Sequence, residues 1–443
     1  MIEMGKIRIL VEPPGPKARE IIERDKKVLM QSYVRWFPLV IKSGEGAIVE
    51  DVDGNRYIDM NAGIAVLSTG HRHPLVVEAI KEQLNSFLHY SLTDFYYEIA
   101  VKLAEKLTSI MPGDKVFFTN SGAESVEGAI KIARGYFEGK RPYIIAFIGA
   151  FHGRTMGALS LTASKPVHRR SFSPLLPGVI HVPYPYCFRC PYKLSYPECG
   201  LHCLEFIRRW VIGKFIPQDE IAAIIIEPIQ GEGGYIPAPK EFIRELRALA
   251  NEYGILLIAD EIQSGMGRTG KWLAIQHYGV DPDIVTLAKG IASGLPLGAI
   301  IGREDIMRLP PGSHATTFGG NPVCVAASLA TIEILENGLL GNAAKQGEYL
   351  IKRLLEMKEK YPIIGDVRGL GLMVGMELVK EDGYTPAREE LREIIIGSFK
   401  RGVLIIGAGD STLRFAPPLN ISREEIDEAL DVVEAEIRKV SKV

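Results

Sequence analysis

The run Ile221-Ala-Ala-Ile-Ile-Ile226 is apolar at every position. A helical pattern over 241–253 follows it, and then a second apolar run over 255–259. A strand without polar alternation is buried on both faces, which points to a parallel sheet covered by helices. Strands and helical patterns go on alternating from about residue 65 to 325, so this stretch is read as an α/β unit with a mostly parallel sheet. After Asn321-Pro322 a helical stretch over 325–335 leads into an amphipathic segment over 343–361. Short strands are then expected at 363–368, 371–378, 402–406 and 412–415, forming a smaller α+β domain over 326–443. Residues 44–60 read as a hairpin turning at Asp53-Gly54-Asn55. With 443 residues, 47% of them hydrophobic, the chain can fill a core of this size and two domains.

Charge and length narrow the functional classes. Lys plus Arg number 52 against 54 for Asp plus Glu, so no net field draws the chain to nucleic acid or to an acidic membrane. No apolar run approaches bilayer-spanning length, and Met1-Ile-Glu-Met-Gly-Lys-Ile-Arg-Ile-Leu10 is too charged and too short for a signal peptide. The expectation is a cytoplasmic protein.

Chemistry concentrates at the ends of the apolar runs. Asp260 and Glu261 close the run beginning at Gly254, and Lys289 follows the run Asp283-Ile-Val-Thr-Leu287. A lysine after a strand, taken alone, is a solvated loop residue. Paired with an acid at the end of the neighbouring strand, it gains a second meaning. A deprotonated amine forms a Schiff base with an aldehyde, and a carboxylate keeps a pyridine nitrogen protonated, as pyridoxal phosphate (PLP) requires. A phosphate also needs donors. Phe117-Phe-Thr-Asn-Ser-Gly-Ala-Glu-Ser125 runs from a strand into a helix, with Ser121 as N-cap and Glu124 as its capping-box partner. Such a helix start offers free N–H groups and a positive dipole end, although an ordinary capped helix would look the same. In Ala146-Phe-Ile-Gly-Ala-Phe-His-Gly-Arg-Thr155, Phe151 could serve as a core ring or as a face for a pyridine.

Taken together these segments resemble the class III (omega-amino) aminotransferases of PLP fold type I, the group of 4-aminobutyrate, ornithine and acetylornithine aminotransferases. The resemblance runs from about Pro38 to Leu419 through Asn120-Ser-Gly-Ala-Glu124, Phe151-His-Gly-Arg-Thr155, Glu227-Pro-Ile-Gln-Gly-Glu-Gly-Gly234, Asp260-Glu-Ile-Gln263, Gly267-Arg-Thr-Gly270, Lys289, Thr316-Thr-Phe-Gly-Gly-Asn-Pro322 and Arg414-Phe-Ala-Pro-Pro418. It implies PLP as cofactor, Lys289 as the Schiff-base lysine and Asp260 as partner of the pyridine nitrogen. Gln263 would contact the ring oxygen, Phe151 and His152 would border the ring, and Ser121, Gly122 and Ala123 would hold the phosphate. Thr317 would reach the phosphate of a neighbouring subunit, which implies a homodimer. Glu227, Glu232 and Arg414 would face substrate. Arg414 would bind an α-carboxylate with its planar fork, and would pair with Glu232 when that carboxylate is absent. By the same resemblance residues 1–64 pack with the small domain, and 65–325 form the large cofactor-carrying domain with an insert at 183–204.

The implied reaction moves an amino group from an omega-amine or amino acid of 4-aminobutyrate, ornithine or lysine type to 2-oxoglutarate. Racemisation of an amino acid is the alternative within the same subgroup. The subgroup's racemases tend to carry Asp where this chain has Glu232, so the longer side chain favours transamination.

Three other patterns carry rival readings. Gly265-Met-Gly-Arg-Thr-Gly270 has dinucleotide-binding glycines, but five residues separate it from the strand, and the acids Asp281 and Asp283 follow too soon. Cys187-Phe-Arg-Cys190, Cys199 and Cys203 could hold a metal, form two disulfides or remain free thiols. Cys324 lies in an apolar helix and is expected in the core. His71-Arg-His73 lacks a third ligand nearby.

Overall fold

The computed structural model describes residues 2–441. Its centre is a seven-stranded sheet of β1 (Lys115–Thr119), β2 (Tyr143–Phe147), β3 (Val179–Val182), β4 (Ile221–Ile226), β5 (Leu256–Asp260), β6 (Ile284–Leu287) and β7 (Gly298–Gly302). The spatial order is β1-β7-β6-β5-β4-β2-β3. All neighbours run parallel except β7, which is antiparallel to both β6 and β1. Every residue of β4, β5 and β6 is buried, as runs without polar alternation require.

Helices cover this sheet for reasons visible in their residues. In the helix α2 (Lys240–Tyr253), Phe242, Ile243, Leu246, Leu249 and Ala250 are buried, and their spacing puts them on one face. Burying each large apolar side chain among them contributes about 1.5–3 kcal/mol of gross stabilisation. The helix stops at Gly254, whose φ of +62° suits glycine, and the chain turns directly into β5. The helix α3 (Pro322–Ile334) begins with Pro322 in its first turn, capped by the Asn321 side chain, which accepts N–H bonds from Val323 (3.0 Å) and Cys324 (3.4 Å). Cys324 is buried there as expected.

One expectation needs correction. The helical run Pro322–Lys360 is long and apolar enough to cross a membrane by length and composition, with a mean hydropathy of 1.6 in its most apolar window. That window is 56% buried inside the protein, and α3 packs against the helices Pro74–Leu84 and Glu98–Ile110. Its uniform apolarity therefore belongs to an internal helix.

Two larger sheets and a short antiparallel pairing of Ile229–Gln230 with Ile236–Pro237 complete the architecture among the described residues. An antiparallel sheet of Ile364–Leu370, Met373–Leu378, Thr412–Phe415 and Ile406–Ala408 lies beside the helices Leu340–Lys360 and Arg388–Lys400. The expected hairpin is Ile48–Asp51 paired with Arg56–Asp59; the Asp51 carboxylate accepts N–H bonds from Asp53 and Asn55, both at 2.9 Å, across its turn. This hairpin sheet also takes in Ile2–Met4, Ile7–Ile9 and Ile41–Glu45. A strand from the other end of the chain, Val403–Leu404, pairs in parallel with Arg56–Asp59, with Val403 opposite Ile58.

Candidate functional site

Because β5 and β6 are parallel neighbours, Asp260 at the end of β5 stands opposite Thr286 and Lys289 follows one turn later at the same edge. Crevices beyond the carboxyl ends of parallel strands are the usual ligand sites of such sheets. Here a cavity of about 630 Å³ includes Ser121, Phe151, His152, Asp260, Gln263 and Lys289 in its wall. Glu261 does not line it, since successive strand residues point to opposite faces. Its carboxylate instead accepts the N–H groups of Ala274 (3.0 Å) and Ile275 (2.7 Å), and burial raises its pKa to about 7.

Lys289 is half-buried and sits at φ +48°. Burial pulls its amine below the usual lysine pKa, against the opposing charge of Glu232. Asp260 is fixed from two sides. One carboxylate oxygen is 2.6 Å from His152 Nδ1, and the other accepts from the Ile262 N–H (3.1 Å) and the Thr286 hydroxyl (3.2 Å). Burial opposes protonation of His152, but the Asp260 hydrogen bond and charge prevail, so its pKa lies above the usual histidine value. His152 Nε2 is buried with no partner among the described residues.

The helix α1 (Gly122–Tyr136) opens on the same cavity. Its first N–H groups have no intrahelical acceptor. Ser121 Oγ takes that of Glu124 at 3.2 Å, while Gly122 and Ala123 lie in the cavity wall. The expected capping box is corrected in its reciprocal half: the Glu124 carboxylate accepts from the Asn120 N–H (2.7 Å), not from Ser121, leaving the cap residue's own N–H out of the box. A Cβ on Gly122 would stand 2.9 Å from Ile262 Cγ2.

Glu227 is buried and bridges two loops, accepting the N–H groups of Phe151 (3.0 Å) and Gly231 (3.1 Å). Burial raises its pKa to about 7. Gln263 accepts a hydrogen bond from the Tyr235 hydroxyl at 2.8 Å. Beyond this wall, Arg414 Nη1 is 2.6 Å from Glu232 Oε1, with the guanidinium carbon 5.9 Å from the Tyr235 ring centroid. Burial would raise the Glu232 pKa, but Arg414 and Lys165 hold it below the usual carboxylate value. Thr317 is exposed and outside the cavity wall; its neighbour Thr316 accepts from Asn120 Nδ2 at 3.2 Å.

Sequence reasoning passed over three residues here. Tyr235 directly follows the Glu227–Gly234 motif, Arg154 lines the cavity inside the motif Phe151–Thr155, and Lys165 Nζ stands 3.8 Å from Glu232 Oε2. The first two were legible as motif neighbours, whereas Lys165 lies in a stretch without pattern.

The rival motifs are placed elsewhere. Residues 265–270 form turns rather than a helix start, and Arg268 among them is buried, donating to the carbonyls of Leu372 (3.1 Å) and Pro417 (2.5 Å). His71 Nε2 lies 2.7 Å from Asp59, and His73 Nδ1 caps a helix by accepting the Leu75 N–H. Among the described residues all five cysteines are free thiols, and no three His, Cys, Asp or Glu side chains stand where they could share a metal ion.

A lysine with a depressed pKa, an acid held by a histidine, an aromatic ring in the cavity wall and a helix N-terminus form the donor set that PLP needs. The buried, unpartnered His152 Nε2 and the close approach of Ile262 to Gly122 mark a wall shaped for a tightly fitting ligand.

Comparison with known proteins agrees. Residues 29–437 match the family model for aminotransferase class-III. The chain is 44% identical over 448 residues to an alanine/serine racemase of Pyrococcus horikoshii, covering 99% of this chain and 94% of that one. It is 42% identical over 419 residues to an acetylornithine aminotransferase of Caldanaerobacter subterraneus subsp. tengcongensis, covering 94% and 98%. Its structure aligns with a PLP-bound amine transaminase from an uncultivated Pseudomonas species at a TM-score of 0.86 and 32% identity, over 93% and 98% of the two chains.

Proposed function

The chain belongs to the class III aminotransferases, a PLP-dependent family, and from that premise we propose that it transfers an amino group from an omega-amine of ornithine, lysine or 4-aminobutyrate type to 2-oxoglutarate. When bound, PLP would supply the electron sink for breaking a C–H bond beside the amine. Lys289 would hold the cofactor through its amine and would serve as the base for the substrate proton. Its depressed pKa suits both tasks, since both need the neutral amine. Asp260, oriented by His152, would keep the pyridine nitrogen protonated. Ser121, Gly122 and Ala123 would hold the phosphate, and Phe151 and Gln263, the latter accepting from Tyr235, would hold the ring.

The ion pair between Glu232 and Arg414 at 2.6 Å is the observation that carries the substrate reading. With Glu232 in place, Arg414 is neutralised and the pocket suits a donor whose amine-bearing carbon carries no carboxylate. With Glu232 displaced, Arg414 takes the α-carboxylate of the 2-oxo acid. Glu232→Ala leaves Arg414 free, so turnover through α-amino groups rises relative to omega-amine transfer, by roughly tenfold if one buried charge pair governs the choice. An unchanged ratio with both rates intact would reduce Glu232 to scaffolding.

Racemisation is the second reading, supported by the Pyrococcus horikoshii relative. It needs a proton returned to the substrate carbon from the face opposite the one it left. A substrate panel that follows both keto-acid-dependent turnover and loss of optical activity separates the two. Racemised product formed without any keto acid would displace the transamination reading.

We further propose a homodimer, with Thr317 reaching the phosphate of the other subunit. Around Thr317 the apolar side chains of Leu88, Phe95, Tyr96 and Phe318 are exposed, Tyr96 almost completely, and a second copy is the natural cover for such a patch. Residues 65–325 then act as the cofactor-carrying domain, and 326–443 as the small domain with residues 1–64 against it.

A further inference from the structure

The four-cysteine loop has no part in the reaction above, yet it makes a defined connection to the substrate end of the pocket. Between Cys187 and Cys190, Arg189 extends its guanidinium to the carboxylate of Glu377 and to the carbonyl of Tyr384. The Tyr186 hydroxyl donates to the same carboxylate. Glu377 lies on the strand Met373–Leu378, with its side chain only 2% exposed. Its second oxygen is 2.7 Å from Arg368 Nη2. Arg368 in turn donates to the carbonyls of Gly234 (2.7 Å) and Tyr235 (3.1 Å), and pairs with Asp366 at 2.8 Å.

Those two carbonyls belong to the turn that carries Glu232, and the Tyr235 ring lies beside Arg414. Two guanidiniums and two carboxylates balance one another in this cluster, so removing Arg189 leaves Glu377 with Arg368 alone and the cluster with an uncompensated charge. A buried charge cluster of this kind has few alternative arrangements, and displacement of Glu377 is transmitted to Arg368 and the turn.

We propose that Arg189 is a positioning residue for the substrate pocket: through Glu377 and Arg368 it fixes the backbone at 234–235, and with it the register of Glu232 against Arg414. The cysteine loop is thereby the buttress of the carboxylate gate. This rests on the reading of Glu232 and Arg414 as that gate.

The test uses the PLP-loaded full chain with Arg189→Ala, Arg189→Lys and Glu232→Ala measured side by side. Arg189→Ala is expected to raise KM for substrates bearing an α-carboxylate roughly tenfold while kcat for the omega-amine half-reaction changes less than about twofold, the pattern of a misplaced binding group rather than a lost catalytic one. The PLP absorption band stays in place, and Arg189→Lys recovers most of the lost KM because it keeps the charge facing Glu377. If Arg189→Ala fails to fold, Tyr186→Phe removes another contact of the same carboxylate at nearly constant volume and shifts KM in the same direction. A normal KM in Arg189→Ala, with the ratio shifted in Glu232→Ala, overturns the coupling while the gate stands. An unshifted ratio in Glu232→Ala overturns the gate, and the coupling falls with it.

Discussion

Among single residues, the chemistry rests on groups whose proton affinities the fold has moved. Lys289 is the sharpest case: replaced by Ala, it leaves no amine at the end of β6, so turnover is abolished, and borohydride reduction of the wild type tags a peptide containing Lys289. A tagged peptide without it overturns the assignment. Glu227 offers a test that needs no cofactor. Its pKa is raised to about 7 by burial, from an ordinary value of 4.5. The neutral carboxyl is thus the form the folded state favours: its contribution is complete below about pH 4.5 and is lost as pH rises through 7. Glu227→Gln cannot ionise, so the stability difference should move in favour of the variant by on the order of 2 kcal/mol between pH 5 and pH 8. Denaturant unfolding of the cofactor-free proteins at several pH values measures this, and a difference that does not vary with pH refutes it.

Secondary-structure elements set the limits of what could be read in advance. The strands that carry Asp260 and Lys289 were legible because parallel strands buried on both faces are uniformly apolar, and α2 because its apolar positions recur on one face. The strands Ile2–Met4 and Ile7–Ile9 were not, since three residues are too few to show alternation. The site was legible where a motif marks it and not where tertiary packing makes it. Lys165 reaches Glu232 from an unpatterned loop, and Arg189 finds Glu377 across 188 residues of chain. The capping box misled for a related reason: its sequence spacing was right, but the backbone offered Asn120 as the nearer donor. At the start of α1, Gly122→Ala pushes a methyl group to 2.9 Å from Ile262 Cγ2. The helix itself gains from alanine, so the expected result is an unchanged melting temperature and PLP affinity weakened about tenfold, as the phosphate cradle is displaced. Titration of PLP absorbance checks it, and unaltered affinity would remove Gly122 from the cradle.

At the scale of the whole molecule, a site completed by Thr317 of a second copy has a consequence that a closed monomer lacks. Thr317→Val binds PLP weakly, and Lys289→Ala cannot link it covalently. In a mixed dimer of the two, one site carries both defects and the other carries neither. Mixing the purified variants, with subunit exchange, should therefore restore activity in a fraction of the sites, to about a quarter of the wild-type level if exchange is random. No recovery despite demonstrated exchange would make Thr317 a residue of its own subunit. A different consequence follows from the pairing of Val403–Leu404 with Arg56–Asp59. The hairpin sheet receives this strand only after the whole stretch between residues 59 and 403 has been made. Contacts so distant in sequence are slow to form and leave an edge open in the meantime. The strand Val403–Leu404 thus acts as a timer for maturation, and a truncation that stops before Val403 leaves a nascent chain exposed to aggregation rather than a smaller folded enzyme.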